Sequence, residues 1–293
     1  MAPRTVGLIG VGLVGTALAE RFLAAGWSVI GYDTVEQQLN NLRNLGGDVA
    51  ASATDVFAAA DVIVLSLPTS VIATQVMEAV TGPLAGKLVI DTTTGEPAEM
   101  AALGDRLAGR GARYLDATIA GSSAQVRAGD VIVTVGGDAD TVAACTELLR
   151  SFAARVFHVG GCGAGAQMKL VVNLVLGLNR AVLAEGLCFA ARTGVDPQLA
   201  LDVLRAGPTY SRVMDTKGAK MLGGDFAPQA RLAQHLKDVR LILATGAAAG
   251  ATLPLSSLHA RLLDELDHAG YGDLDNSAII KAFQDDRTPS PES

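Results

Sequence analysis

The chain is 293 residues long, enough for two domains that each bury a core. Charged residues make up 18% of it, against the ~25% usual for soluble chains; the net charge is −7 with no basic run or basic–aromatic stripe, which argues against nucleic acid as a partner. Three widely spaced cysteines (Cys145, Cys162, Cys188) and four histidines (His158, His235, His259, His268) give neither a paired disulfide framework nor metal-ligand spacing, so no metal is expected.

Residues 5–9 are apolar and strand-like, and residues 13–25 are Ala/Leu-rich and helix-like. Between them, Gly10-Val11-Gly12-Leu13-Val14-Gly15 has the G-x-G-x-x-G spacing of a dinucleotide-binding turn. Gly10 lets the chain turn, Gly12 lets a pyrophosphate approach the backbone, and Gly15 lets helix pack on strand. The helix dipole and its free N–H groups would hold the phosphates. The alternative is a glycine-rich turn without a ligand; the placement between strand and helix favours the cofactor. The segment runs into Glu20-Arg21 without a small-residue cleavage site, unlike a signal peptide, so a cytoplasmic protein is expected.

A second strand over 27–32 leads to Asp33, 21 positions after Gly12, near the ~20 expected of the acid that bonds the adenosine ribose. A carboxylate there repels a 2′-phosphate, so NAD is expected over NADP. Asp33 also suits a cap for the helix that follows over 36–45. The strand at 62–67 ends in Leu65-Ser66-Leu67-Pro68, and a helix follows over 71–80. The strand at 88–90 leads into Asp91-Thr92-Thr93-Thr94-Gly95-Glu96-Pro97. In open parallel sheets ligands sit beyond such carboxyl ends, which puts Leu67, Pro68 and Thr94 at the cofactor; equally, Thr94 or Glu96 suits a cap for the helix over 98–110.

After a strand at 113–115, Asp116-Ala117-Thr118-Ile119-Ala120-Gly121-Ser122-Ser123-Ala124-Gln125 reads as a polar, small-residue loop whose backbone N–H groups suit a carboxylate. No G-x-S-x-G elbow surrounds Ser122 and Ser123, which weakens a hydrolase reading. Strands at 131–135 and 156–159 flank a helix over 139–152. The alternation predicts an α/β fold: a Rossmann-type doubly wound sheet over 1–163, with helices on both faces.

Past Gly160-Gly161-Cys162-Gly163-Ala164-Gly165 the strand signals stop. Helical patterns cover 166–193, 197–206, 211–222, 232–249 and 255–268, which predicts an all-helical domain over 164–293 with a disordered tail at 285–293. The apolar stretch 170–178 is too short to span a bilayer and contains Asn173. Lys169 and Asn173 stand at i and i+4, on one face of the first helix. A lone lysine there usually snorkels to solvent; beside an interdomain hinge, burial and a helix N-terminus would lower its pKa and make it a usable acid/base. His235 reads as a helix-surface histidine or a pocket residue. The low charge share leaves surplus apolar surface, which predicts a homodimer or homotetramer.

In these segments the chain resembles the β-hydroxyacid dehydrogenase family over nearly its whole length. The glycine turn matches that family's cofactor fingerprint, and Asp91–Pro97 resembles its D-x-S-T-x-x-P segment. Gly163-Ala164-Gly165-Ala166-Gln167-Met168-Lys169-Leu170-Val171-Val172-Asn173 is similar to its catalytic-lysine motif, and Leu236-Lys237-Asp238-Val239 to its later K-D signature. The resemblance implies a hydride transfer between nicotinamide and a small β-hydroxyacid or semialdehyde. It makes Lys169 the proton donor and acceptor, with Asn173 orienting the reacting group. Gly121, Ser122 and Ser123 would hold the substrate carboxylate, and Lys237 would lie near the nicotinamide. The family's substrate loop commonly carries a serine where this chain has Ala120. Two other readings fit the scaffold: an imine or ketone reductase, and a catalytically weak nucleotide-binding regulatory protein.

Overall fold

Apolar runs bounded by glycine and polar turns become strands, and the amphipathic segments between them become helices. In the computed structural model, which describes residues 4–284, the chain begins β1 (Thr5–Ile9), α1 (Leu13–Ala24), β2 (Ser28–Tyr32), α2 (Glu36–Asn44), β3 (Asp48–Val49), α3 (Ala53–Ala59), β4 (Val62–Leu65) and α4 (Ser70–Ala79). It continues β5 (Leu88–Asp91), α5 (Pro97–Gly109), β6 (Arg113–Ala120), α6 (Ser123–Ala128), β7 (Ile132–Gly136), α7 (Ala139–Arg150) and β8 (Arg155–Gly160). The tail expected to be disordered lies outside the described residues.

The eight strands form one sheet in the order β3-β2-β1-β4-β5-β6-β7-β8. All neighbours are parallel except β6 and β7. Because successive residues point to opposite faces, β1 feeds two cores. Leu8 packs with Leu18 and Phe22 of α1, Val126 of α6 and Leu149 of α7. Ile9 packs with Val56 of α3, Met77 of α4, and Met100 and Leu103 of α5. The doubly wound sheet is therefore as expected from the alternation.

Two segments differ from the sequence reading. The stretch 116–125 is not a loop: β6 runs on to Ala120, and Ser122 then caps α6. Asp116 and Thr118 are buried and hydrogen-bonded within the unit, so they do not break the strand. The short β3 and α3 carry too few residues for a periodic signal.

The chain forms two compact units, which meet in sequence at Lys169/Leu170. The long α8 (Ala164–Arg192) starts in the first, and the second adds α9 (Pro197–Ala206), α10 (Arg212–Gly223), α11 (Leu232–Ala248) and α12 (Pro254–Leu266), with a 3₁₀ turn at Asn276–Ala282. Its core joins Leu183, Ala184, Leu187, Leu201, Leu236 and Leu263. At 29 residues α8 is long and apolar enough to cross a membrane by length and composition, contrary to the length taken from 170–178 alone. Alanine and glycine extend the helix well beyond that run.

Candidate active site

The glycine turn is built for close approach. Gly10 has φ of +91°, and a Cβ there would collide with the Ser66 carbonyl oxygen; a Cβ on Gly15 would collide with the Gly10 carbonyl oxygen. At Gly12 a Cβ would meet nothing within 4 Å, so this side of the turn is open to a ligand. Gly12 is the N-cap of α1 and no side chain caps the helix. Leu13, the first helical residue, is 79% exposed. An uncapped helix N-terminus behind an open glycine fits a pyrophosphate. Val11 is buried, and its N–H donates to Asp33 Oδ2 at 2.7 Å. Asp33 Oδ1 accepts the Val35 N–H at 2.9 Å. The N-cap position of α2 itself is Val35, so Asp33 braces the turn into that helix rather than occupying its cap.

The next two strand ends are tied together at the same carboxyl edge. Leu67 N–H donates to Thr93 Oγ1 at 3.2 Å, and Thr92 Oγ1 donates to the Leu65 carbonyl at 2.7 Å. Pro68 is exposed and Thr94 half-buried. Glu96 is the N-cap of α5, but its side chain makes no capping bond; its N–H goes to Ser70 Oγ at 3.1 Å. Neither the Thr94 nor the Glu96 side chain therefore caps α5. Beneath them Asp91 is fully buried, accepting from Thr93 N–H at 2.9 Å and from the Tyr114 hydroxyl at 3.0 Å. Burial outweighs these bonds and pushes its carboxyl up to about 6.

Beyond β6, Gly121 and Ser122 are exposed and Ser123 is half-buried. Ser122 and Gln125 form a capping box: Ser122 Oγ accepts the Gln125 N–H at 3.3 Å, and Gln125 Oε1 accepts the Ser122 N–H at 2.9 Å. Lys169, in the second turn of α8, donates from Nζ to the Ile119 carbonyl oxygen at 2.7 Å. The first unit thus brings the glycine turn, Asp33, Leu67, Pro68, Thr94, residues 121–123 and Lys169 to one edge of one sheet.

Asn173 and Lys237 belong to the second unit. Asn173 lies one turn beyond Lys169 on the unbroken α8 and donates from Nδ2 to Asp238 Oδ2 at 3.1 Å. Lys237 is exposed on α11. His235 is not the surface histidine expected. It is buried against His259, with ring centroids 5.2 Å apart. Gly177 makes room, because a Cβ there would lie 2.6 Å from His235 Nε2. Burial, reinforced by the Arg180 guanidinium, holds both imidazoles neutral: His259 falls to about 4, and His235 goes well below the ordinary histidine value. Cys162 is equally inert, its thiol pushed up to about 12 mainly by burial.

One buried group escaped the sequence reading. Asp116, whose polar side chain reads in sequence as the start of a loop, accepts the Gly163 and Ala166 N–H groups at 2.8 and 2.7 Å. The available signal was a second carboxylate closing an apolar strand run, as Asp91 closes β5.

Comparison with known proteins shows the family. Residues 5–160 match the family described as the NAD binding domain of 6-phosphogluconate dehydrogenase. Residues 163–283 match that described as NAD-binding of NADP-dependent 3-hydroxyisobutyrate dehydrogenase. The chain is 32% identical to L-threonate dehydrogenase of Cupriavidus necator, covering 96% of each. It is 29% identical to 2-(hydroxymethyl)glutarate dehydrogenase of Eubacterium barkeri, covering 95% of this chain and 94% of that one. Among solved structures, a Mycobacterium tuberculosis 3-hydroxyisobutyrate dehydrogenase with L-serine superposes with a TM-score of 0.87 at 27% identity, covering 96% of this chain and 99% of that one. The chain belongs to the β-hydroxyacid dehydrogenase family, nicotinamide-dependent oxidoreductases that act on CH–OH groups.

Proposed function

We propose that this protein is an NAD-dependent dehydrogenase of a small β-hydroxyacid or its semialdehyde, with Lys169 as the general acid/base. The observation that carries the reading is the Lys169 Nζ to Ile119 carbonyl bond of 2.7 Å. It fixes the nitrogen two residues short of Gly121, on the sheet edge that carries the glycine turn. Bound nicotinamide supplies the hydride chemistry; the chain supplies position and the proton. Lys169 holds the proton that the substrate oxygen takes up in reduction and gives back in oxidation. Backbone N–H groups of 121–123 hold the substrate carboxylate, and Asn173 orients the reacting group. With the Ser122 side chain engaged in its capping box and Ala120 lacking a hydroxyl, Ser123 offers the remaining hydroxyl of residues 120–123. Two curated relatives named for hydroxycarboxylates support this substrate class.

Asp33 argues for NAD, although the helical region matches a family described as NADP-dependent. On this reading Gly10, Gly12, Leu13, Val14 and Gly15 face the cofactor with Leu67, Pro68 and Thr94, while Val11 holds Asp33 in place. The protein is a cytoplasmic homo-oligomer. Met168, Val175, Val182 and Phe189, seven residues apart along α8, are all exposed apolar side chains, and such a stripe suits a second subunit.

Purified protein assayed with NAD and NADP against small hydroxyacids, L-threonate among them, tests the activity. Lys169→Ala should lower kcat by about 10²- to 10⁴-fold while NADH binding is retained. A folded variant with near-wild-type kcat would overturn the assignment of Lys169.

A further inference from the structure

We infer that Asp116 is the positioning residue for Lys169: it seats the first turn of α8 on β6, and so places the lysine nitrogen at the Ile119 carbonyl. The inference rests on the reading of Lys169 as proton donor and adds the element that sets its place.

The seat has two tie points. Asp116 uses both carboxylate oxygens, one on the Gly163 N–H at 2.8 Å and one on the Ala166 N–H at 2.7 Å. These are orphan donors of a helix N-terminus, satisfied by a charged acceptor. Three residues along the strand, the Ile119 carbonyl accepts from Lys169 Nζ at 2.7 Å, three residues along the helix from Ala166. Between the tie points the Gly165 carbonyl accepts from Thr118 Oγ1 at 2.9 Å and from Thr134 Oγ1 at 3.3 Å. Bonds at both ends of the same span leave the helix little freedom to slide or rotate on the strand.

Glycines clear the ground for this contact. Gly136, paired with Asp116 across β6 and β7, leaves space for the carboxylate, and a Cβ on it would collide with Asp116 Oδ1. A Cβ on Gly165 would collide with the Asp116 carbonyl oxygen and lie 2.8 Å from both Asp116 Oδ2 and the Thr134 carbonyl oxygen. Backbone therefore meets backbone where α8 touches the sheet. Asp116, Thr118 and Thr134 are buried, so these bonds are shielded from bulk solvent.

A group that acts only by placing Lys169 has nothing to do once Lys169 is gone, and a double-mutant cycle reads that directly. In Asp116→Asn the amide offers one acceptor to two N–H donors. We expect kcat to fall about 10- to 100-fold, the scale of an ångström-sized misplacement, with NADH affinity and KM within about twofold. In a Lys169→Ala background the same substitution should change the residual turnover by less than about twofold. An equal loss in both backgrounds overturns the inference and makes Asp116 a general structural residue. If Asp116→Asn does not fold, Thr118→Val carries the test: it removes the bonds of the Thr118 hydroxyl to the Gly165 carbonyl and to Thr134 Oγ1 while keeping the side-chain shape. A fall in kcat of about three- to tenfold that disappears in the Lys169→Ala background supports the seat; an unchanged kcat, or a fall that persists there, overturns it. Near-wild-type kcat in Lys169→Ala alone overturns instead the role of Lys169, a result distinct from these.

Discussion

Both oxygens of the Asp33 carboxylate are engaged, by the Val11 and Val35 N–H groups, yet a carboxylate has about four lone-pair positions, which leaves two for ribose hydroxyls. The same charge repels a 2′-phosphate. Asp33→Asn removes the charge and keeps one acceptor for the turn. It is expected to weaken NAD about tenfold, a loss on the scale of one charge-assisted hydrogen bond, and to raise NADP affinity relative to it, measured by fluorescence titration of the reduced cofactors. An unchanged ratio would remove Asp33 from cofactor choice. At this scale much was legible in the sequence. The positions of Asp33 and Lys169 follow from spacing to a glycine turn and from helical periodicity, both local properties. Asp116 was not legible, because what makes it matter is a pair of N–H groups 47 and 50 residues away. Ser122 shows the reverse: its S-x-x-Q pattern is a local capping-box signal, and the hydroxyl that suits a substrate donor is the one that caps α6.

The elements repeat this lesson. β1, α1 and α9 sit almost where apolar periodicity and Asp-Pro capping put them, since their signals are strong and short-range. β6 was cut short because Asp116 and Thr118 look like loop residues, although buried hydrogen bonds make them strand residues. His235 looked like a surface residue because α11 alone does not reveal that Gly177 leaves a gap opposite it. That packing has a measurable cost in acid. The unfolded chain protonates a histidine near the ordinary value of 6.5, whereas folded His259 stays neutral down to about 4. Stability is therefore full above pH 6.5 and is lost as pH falls toward 4, by on the order of 3 kcal/mol for this group. His235 is shifted the same way, and Arg180 faces both rings. Asp91, raised to about 6, works against this trend because it takes up its proton in the folded state first. Comparison with a variant removes that background: His259→Gln should show a smaller fall in urea midpoint between pH 7 and 5 than the parent. An identical fall would exclude His259 as a source of acid sensitivity.

For the whole molecule, composition and surface point the same way. A chain with 18% charged residues exposes Val182 and Phe189 at 68% each on α8, more apolar side chain than a helix facing only water is expected to show. Replacing both with aspartate should shift the mass measured by light scattering toward the monomer, because two carboxylates per subunit would be desolvated in the proposed interface. A mass unchanged at micromolar concentration would locate the subunit contact elsewhere. The seat of α8 also bears on how the chain acquires its structure. The similarity to a cofactor domain ends at residue 160, but the donors for the buried Asp116 carboxylate are Gly163 and Ala166. A nascent chain stopped at 160 holds a desolvated charge with neither of these N–H groups, and the sheet edge has its full set of bonds only after the next helix has begun. Maturation of the sheet is thus coupled in time to synthesis of the first turn of α8, and the point at which the amino-terminal half becomes self-sufficient lies past its apparent sequence boundary.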